Sequence, residues 1–305
     1  MTDVILATLP IFLLIFVGTV ALRSGFLGQG FWRECEKLIY FVLFPCLLLG
    51  SVARARLGEL EILPMAGVIL GAMLAMTLLM LALRPRLGVG NAAFTSMYQG
   101  VIRMNTYLAF AVAAGIGGAP AVEATAVAVA IFVPVANVLC VTILVRYAAS
   151  GGKATVGRTL LAVAKNPLIL SILGGILLNL TGIGLPPVIG PMLDILGGAA
   201  LGLGLIAVGA GLDFATARSS GRAVLLTAAL KLVVMPALAW GLCRLLGLEG
   251  PGALAAILLN AMPTAGAAYI LARQLGGDAP LMASIITVET ALGMASLPLV
   301  LALTV

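Results

Sequence analysis

The stretch Gln99-Gly100-Val101-Ile102-Arg103-Met104-Asn105-Thr106-Tyr107 sets a guanidinium, an amide, a hydroxyl and a phenol inside an apolar run from about Asn91 to Gly118. At about 1.5 Å per helical residue, Arg103 lies about 18 Å from the start of that run. In a hydrocarbon layer about 30 Å thick, that is near the middle. A cation there costs at least a few kcal/mol unless it faces protein or water. An arginine near a span end could snorkel or cap a neighbouring helix; the mid-run position favours a ligand. A guanidinium offers two parallel hydrogen bonds to a carboxylate. Met104, Asn105, Thr106 and Tyr107 stand beside it to orient the rest of an anion. Were the centre helical throughout, Arg103 and Tyr107 would share one face, and Tyr98 and Asn105 another.

A second polar centre, Asn260-Ala261-Met262-Pro263-Thr264-Ala265, interrupts another apolar run. Pro263 has no backbone N–H and clashes with the preceding turn, so it frees carbonyls near Leu259 and Asn260. Freed carbonyls at that depth must be met by protein or a wet cavity. A broken helix also aims the N-terminus of its second half at the site, and that end favours anions. Asn260, Met262, Pro263, Thr264 and Ala265 therefore join the candidate binding residues. Lys231 and Glu289 each lie about 12–14 Å into their runs on a straight helix. Either they form a standing ion pair or they compensate charge during a conformational cycle.

No catalytic set accompanies these groups. The chain has no His, which removes imidazole metal sites, triads and proton relays. Cys35, Cys46, Cys140 and Cys243 are scattered without metal or disulfide spacing. No metal, no cofactor and no enzyme activity is expected, and no P-loop points to ATP.

The elements that must carry these residues follow from composition. The 305 residues are 62% hydrophobic and only 9% charged, with a mean hydropathy of +1.22. A soluble domain carries about 25% charged residues, so the chain reads as a polytopic membrane protein. Its apolar runs are continuous rather than alternating, which excludes a β-barrel. The net charge of +6 is not gathered on one face, so nucleic acid is not expected as a partner.

Ten apolar segments are expected, roughly 4–22, 37–53, 63–83, 91–116, 121–147, 165–181, 192–212, 222–246, 251–273 and 281–303. The first reads as a retained span, because no basic n-region precedes it and no small-residue cleavage site follows. With both termini outside, the inner ends hold Arg23, Arg33, Lys37, Arg84, Arg86, Arg146, Lys153, Arg158, Lys165, Arg218, Arg222 and Arg273. The outer ends hold only Arg54, Arg56 and Arg244. Basic residues stay in the cytoplasm, so a multi-pass protein of the cell (inner) membrane with both termini periplasmic is expected. Phe31-Trp32 beside Arg33 reads as an interfacial anchor. Pro45, Pro134, Pro236 and Pro298 read as kinks.

Gly117-Gly118-Ala119-Pro120 opens the fifth segment, and Gly276-Gly277-Asp278-Ala279-Pro280 the tenth. Each follows a segment with a polar centre. Five segments per half force the second half to run upside down, the inverted-repeat plan of secondary transporters. The halves fall at 1–150 and 151–305.

The order and spacing of four motifs resemble the auxin efflux carrier family in its compact bacterial form, which includes malonate transporters. The motifs are Leu38-Ile39-Tyr40-Phe41-Val42-Leu43-Phe44-Pro45, Arg103-Met104-Asn105-Thr106-Tyr107, Lys231-Leu232-Val233-Val234-Met235-Pro236 and Ala261-Met262-Pro263-Thr264-Ala265. The resemblance covers essentially the whole chain. It implies an all-α fold of ten transmembrane helices as two inverted five-helix repeats, like the bile-acid symporters, with broken crossover helices 4 and 9. Spans 1, 2, 6 and 7 would be scaffold, and spans 3–5 and 8–10 the transport part. In the plant carriers of this family an Asn after a Pro lies at the crossing; Asn105 matches the Asn, and Met104 stands in the place of the Pro. The implied function is secondary transport of a small organic anion, with H⁺ or Na⁺ as candidate co-ion and a homodimer as a candidate assembly. A sodium-coupled symporter of an amphipathic anion is the alternative, and an intramembrane enzyme or sensor subunit a distant one.

Overall fold

A computed structural model describes residues 2–55, 57–148, 166–217 and 221–304. Arg56, Lys153, Arg158, Lys165 and Arg218 lie outside these residues, with nearly all of the expected polar connection at 148–164. Among the described residues the chain is helical and has no strand. Among the described residues, seven stretches are long and apolar enough to cross a membrane, and Pro167–Thr181 and Gly250–Ala261 are shorter apolar helices. The protein is polytopic.

The chain opens with α1 (Thr2–Arg23), then α2 (Gln29–Leu38), a π turn at Ile39–Leu43, and α3 (Phe44–Arg54). After α4 (Ile62–Leu83) come α5 (Asn91–Ile102) and α6 (Thr106–Tyr147). The second half holds α7 (Pro167–Thr181), α8 (Ile189–Ala210), the short α9 (Phe214–Ala217) and α10 (Arg222–Ala229). A second π turn at Leu230–Val234 leads into α11 (Met235–Leu246), then α12 (Gly250–Ala261), α13 (Ala267–Leu275) and α14 (Ala279–Thr304).

Local sequence explains the irregular places. Pro45 and Pro236 each follow a π turn by two residues. A proline ring clashes with the carbonyl four residues back, here Phe41 and Leu232, and the widened turn relieves that clash. Asn91–Tyr147 is one apolar stretch of 57 residues. A straight helix that long would reach about 85 Å, far beyond a bilayer core of about 30 Å. It is divided by the break at Arg103–Asn105 and again at Gly118, whose φ of 58° and ψ of −150° suit glycine alone.

The helices pack in two groups. In the first, α1 runs along α8, and α3 packs on α7 and α8. Backbones meet directly there: a Cβ at Gly18 would stand 1.8 Å from Ile206 O, and one at Gly209 1.7 Å from Ile15 O. Asn179 donates to the carbonyls of Val52, Ala53 and Ala55, closing the end of α3. Arg54 grips Asp194 with two nitrogens, at 2.6 and 3.1 Å. In the second group, α11 packs on α4, α12 on α6, and α14 on α5 and α10. The N-terminus of α14 is tied to α5, because Asp278 N donates to Ala92 O and Ser96 Oγ to Asp278 O. The short α9 docks on α14 through Asp213 N to Thr287 Oγ1 and Ser284 Oγ to Thr216 O. Asp213 caps α9, and bonds from the Thr216 hydroxyl and backbone hold its carboxyl below the usual range.

Trp32 corrects one expectation. It is buried, while its edge-to-face neighbour Phe31 is exposed, so only Phe31 is free to act as an anchor.

Candidate functional site: two interrupted helices that cross

The helix of α5 ends at Ile102, and Arg103 takes an extended conformation (φ −75°, ψ 161°). Asn105 restarts the chain as the N-cap of α6, its Oδ1 accepting from Leu108 N at 3.2 Å. In the second half α12 ends at Ala261. Met262 is extended (φ −66°, ψ 139°), as the residue before a proline prefers. Residues 263–265 are irregular, and α13 begins at Ala267.

These two breaks touch. Asn105 N donates to Pro263 O at 2.7 Å. The hydrogen bond that each helix gives up is thus partly replaced across the crossing, which low-dielectric surroundings require. The break in the first half needs no proline: Met104 is buried there, and the Thr106 hydroxyl lies 3.7 Å from its sulfur.

Arg103 is half-buried at the crossing. One terminal nitrogen donates to Asn137 Oδ1 on α6; the other, Nη1, is buried and has no hydrogen-bond partner. Thr264 N donates to Glu289 Oε2 at 2.9 Å, and Thr264 Oγ1 is buried without a partner. Asn260 Nδ2 turns back to Ala256 O, leaving Oδ1 unpartnered. Ala265 O accepts from Ala268 N in the turn that starts α13.

Lys231 lies in the second π turn, wholly buried, with no partner for Nζ. It makes no direct ion pair with Glu289. Glu289 Oε1 instead approaches Gly100: a Cβ there would stand 3.4 Å from it, and 2.7 Å from both Ile285 Cγ2 and Thr227 Cγ2.

The break overturns the face-sharing expected of an unbroken centre. Tyr98 points to α4, where its hydroxyl meets Thr77 Oγ1 at 2.9 Å, away from Asn105. Tyr107 packs edge-on against Phe44 at 4.8 Å and against Gly204, so it joins α6 to the first helix group. Two residues at the crossing lacked an assigned role. Asn137 is the single amide in the apolar run after Glu123, which is a readable signal. Gln99, buried with both amide atoms unpartnered, stood inside the quoted stretch. A cavity of about 550 Å³ opens elsewhere, beside Gly117, Trp240, Arg244 and Glu249, and includes no residue of the crossing.

A protein of Methanothermobacter thermautotrophicus described as an uncharacterized transporter is 29% identical over 298 residues, covering 95% of either chain. A family profile described as membrane transport protein matches residues 3–301. The chain therefore belongs to the membrane transport protein family, that of the auxin efflux carriers its motifs resemble.

Proposed function

We propose that this transporter moves a small organic anion, a mono- or dicarboxylate, by alternating access, binding it where the two interrupted helices cross. The observation that carries the reading is the pairing of the Asn105–Pro263 contact with a buried, unengaged Arg103 Nη1. A guanidinium with a free donor in a dry setting seeks a carboxylate. Helices α6 and α13 each restart just after a break, and a helix N-terminus favours an anion.

On this reading the ten segments form two inverted five-helix repeats. The α1, α3, α7 and α8 group acts as scaffold, in keeping with its backbone-to-backbone packing. The group holding α4–α6 and α10–α14 moves against it. Both termini lie outside the cell membrane, as the basic residues favour.

The test is uptake and efflux of labelled dicarboxylates and aromatic acids in proteoliposomes, for the parent and for Arg103→Ala. Transport of at least one acid, lost in the variant, is expected. Equal transport by both would remove Arg103 from the site.

A further inference from the structure

The cavity of about 550 Å³ away from the crossing opens where α11 turns into α12. Trp240 and Arg244 of α11, Glu249 of the turn, Leu254 of α12, Gly117 of α6 and Thr304 of α14 line it. Glycines shape its corners. Gly247 ends α11 in the left-handed conformation (φ 66°) and Gly250 opens α12 at φ 62°, so the connection is short. Gly117 keeps its side of the wall bare; a Cβ there would stand 3.1 Å from Leu254 Cδ2. The cavity holds one cation and one anion. Arg244 and Glu249 are both exposed, and among the described residues neither side chain has a hydrogen bond or an ion pair. An N-cap side chain ordinarily accepts from the first free N–H groups of its helix. Glu249 is the N-cap of α12, but its carboxylate makes no such bond.

One free guanidinium and one free carboxylate in a single cavity complement a zwitterion, the first taking its acidic group and the second its ammonium. The surroundings select the kind. Residues 247–249 join two apolar helices, which sets the turn at the edge of the hydrocarbon layer. Trp240, one helical turn before Arg244, is 42% exposed, and Leu245 and Leu246 are exposed on the same helix. Tryptophan at a membrane edge marks the headgroup level. We propose that this cavity is a site for one phospholipid with a primary ammonium, of the phosphatidylethanolamine kind. Arg244 takes the phosphate, Glu249 takes the ammonium, and the acyl chains leave past Trp240 into the bilayer. No residue of the crossing lines the cavity, so the proposal does not depend on where an organic acid binds.

The experiment is thermal unfolding of delipidated parent, Arg244→Ala and Glu249→Gln protein in detergent, with no organic acid present. Each is titrated with phosphatidylethanolamine, phosphatidylcholine or phosphatidylglycerol of the same acyl chains, and with free phosphoethanolamine. A ligand that binds only the folded state raises the midpoint saturably. Phosphatidylcholine keeps the phosphate, but its quaternary ammonium has no proton to donate; phosphatidylglycerol keeps the phosphate and has no cation. The parent is expected to respond to phosphatidylethanolamine at roughly tenfold lower concentration than to the other two, the worth of one charge-assisted hydrogen bond. Glu249→Gln is expected to lose that preference, and Arg244→Ala to respond weakly to all three lipids. Both variants alter exposed side chains without partners, so their midpoints before lipid is added are expected to match the parent's. Equal response of the parent to the three lipids would overturn the proposal. So would a phosphatidylethanolamine preference that survives either substitution. A shift of the same size from phosphoethanolamine alone would assign the cavity to a soluble zwitterion and overturn the lipid assignment.

Discussion

On the proposed reading, Arg103 divides its donors between structure and ligand. One nitrogen is bonded to Asn137 and Nη1 has no partner; the first would then hold the plane of the guanidinium and the second would meet the acid. Substitutions at the two residues should therefore differ in kind. Arg103→Lys keeps a charge but not the fork, and is expected to lose most acid binding. Asn137→Ala leaves the fork but frees it to swing, and is expected to weaken binding roughly tenfold, about 1.4 kcal/mol. Acid titrations followed by thermal shift distinguish the two; equal affinity in Asn137→Ala and parent would show that the Asn137 contact does not orient the guanidinium. The polar residues were readable because such groups are rare at this depth. Their orientations were not. Tyr98 and Tyr107 took partners on α4 and α3 that no spacing along their own helix reveals.

At the level of elements, the two breaks have different origins. Pro263 announces its own, since no helix continues normally through a residue without an N–H. The break at Arg103–Asn105 has no such mark. It persists because the Asn105 side chain caps α6 and the Asn105 N–H is taken by a carbonyl from the other half of the chain. The cap was a local signal; the cross-chain bond was tertiary and outside the reach of the sequence. The π turns were likewise hidden, although Pro45 and Pro236 pointed to distortion nearby. Gly118 and Gly18 test element geometry separately. Gly118→Ala forces a side chain into a glycine-only conformation and should cost about 1–3 kcal/mol. Gly18→Ala drives a methyl into Ile206 O, which is backbone and cannot turn aside, so α1 must part from α8. It is expected to unfold at the lower temperature of the two in detergent. A Gly18→Ala midpoint at or above the parent's would contradict the packing of that pair.

For the molecule as a whole, the proposed cycle needs one helix group to slide against the other. The boundary between them can be stapled. A Cβ built at Gly115 on α6 stands 3.8 Å from Ala7 Cβ on α1, which is about the spacing of a disulfide. A Cβ at Gly50 on α3 stands 3.5 Å from Leu193 Cβ on α8, inside the first group. With the four native cysteines replaced, oxidised Ala7→Cys/Gly115→Cys is expected to stop transport and to recover on reduction. Oxidised Gly50→Cys/Leu193→Cys is expected to transport normally. Undiminished transport through the first staple would mean that the groups do not move apart at that boundary.

Acid binding at the crossing is the claim on which the rest stands, and thermal-shift titration of purified protein with a panel of organic acids measures it directly. The parent and Arg244→Ala, which alters only the separate cavity near Trp240, are expected to be stabilised by the same acids. Arg103→Ala is expected to respond to none of them. An acid that stabilises Arg103→Ala as well as the parent, or that loses its effect in Arg244→Ala instead, would place binding elsewhere and contradict the account.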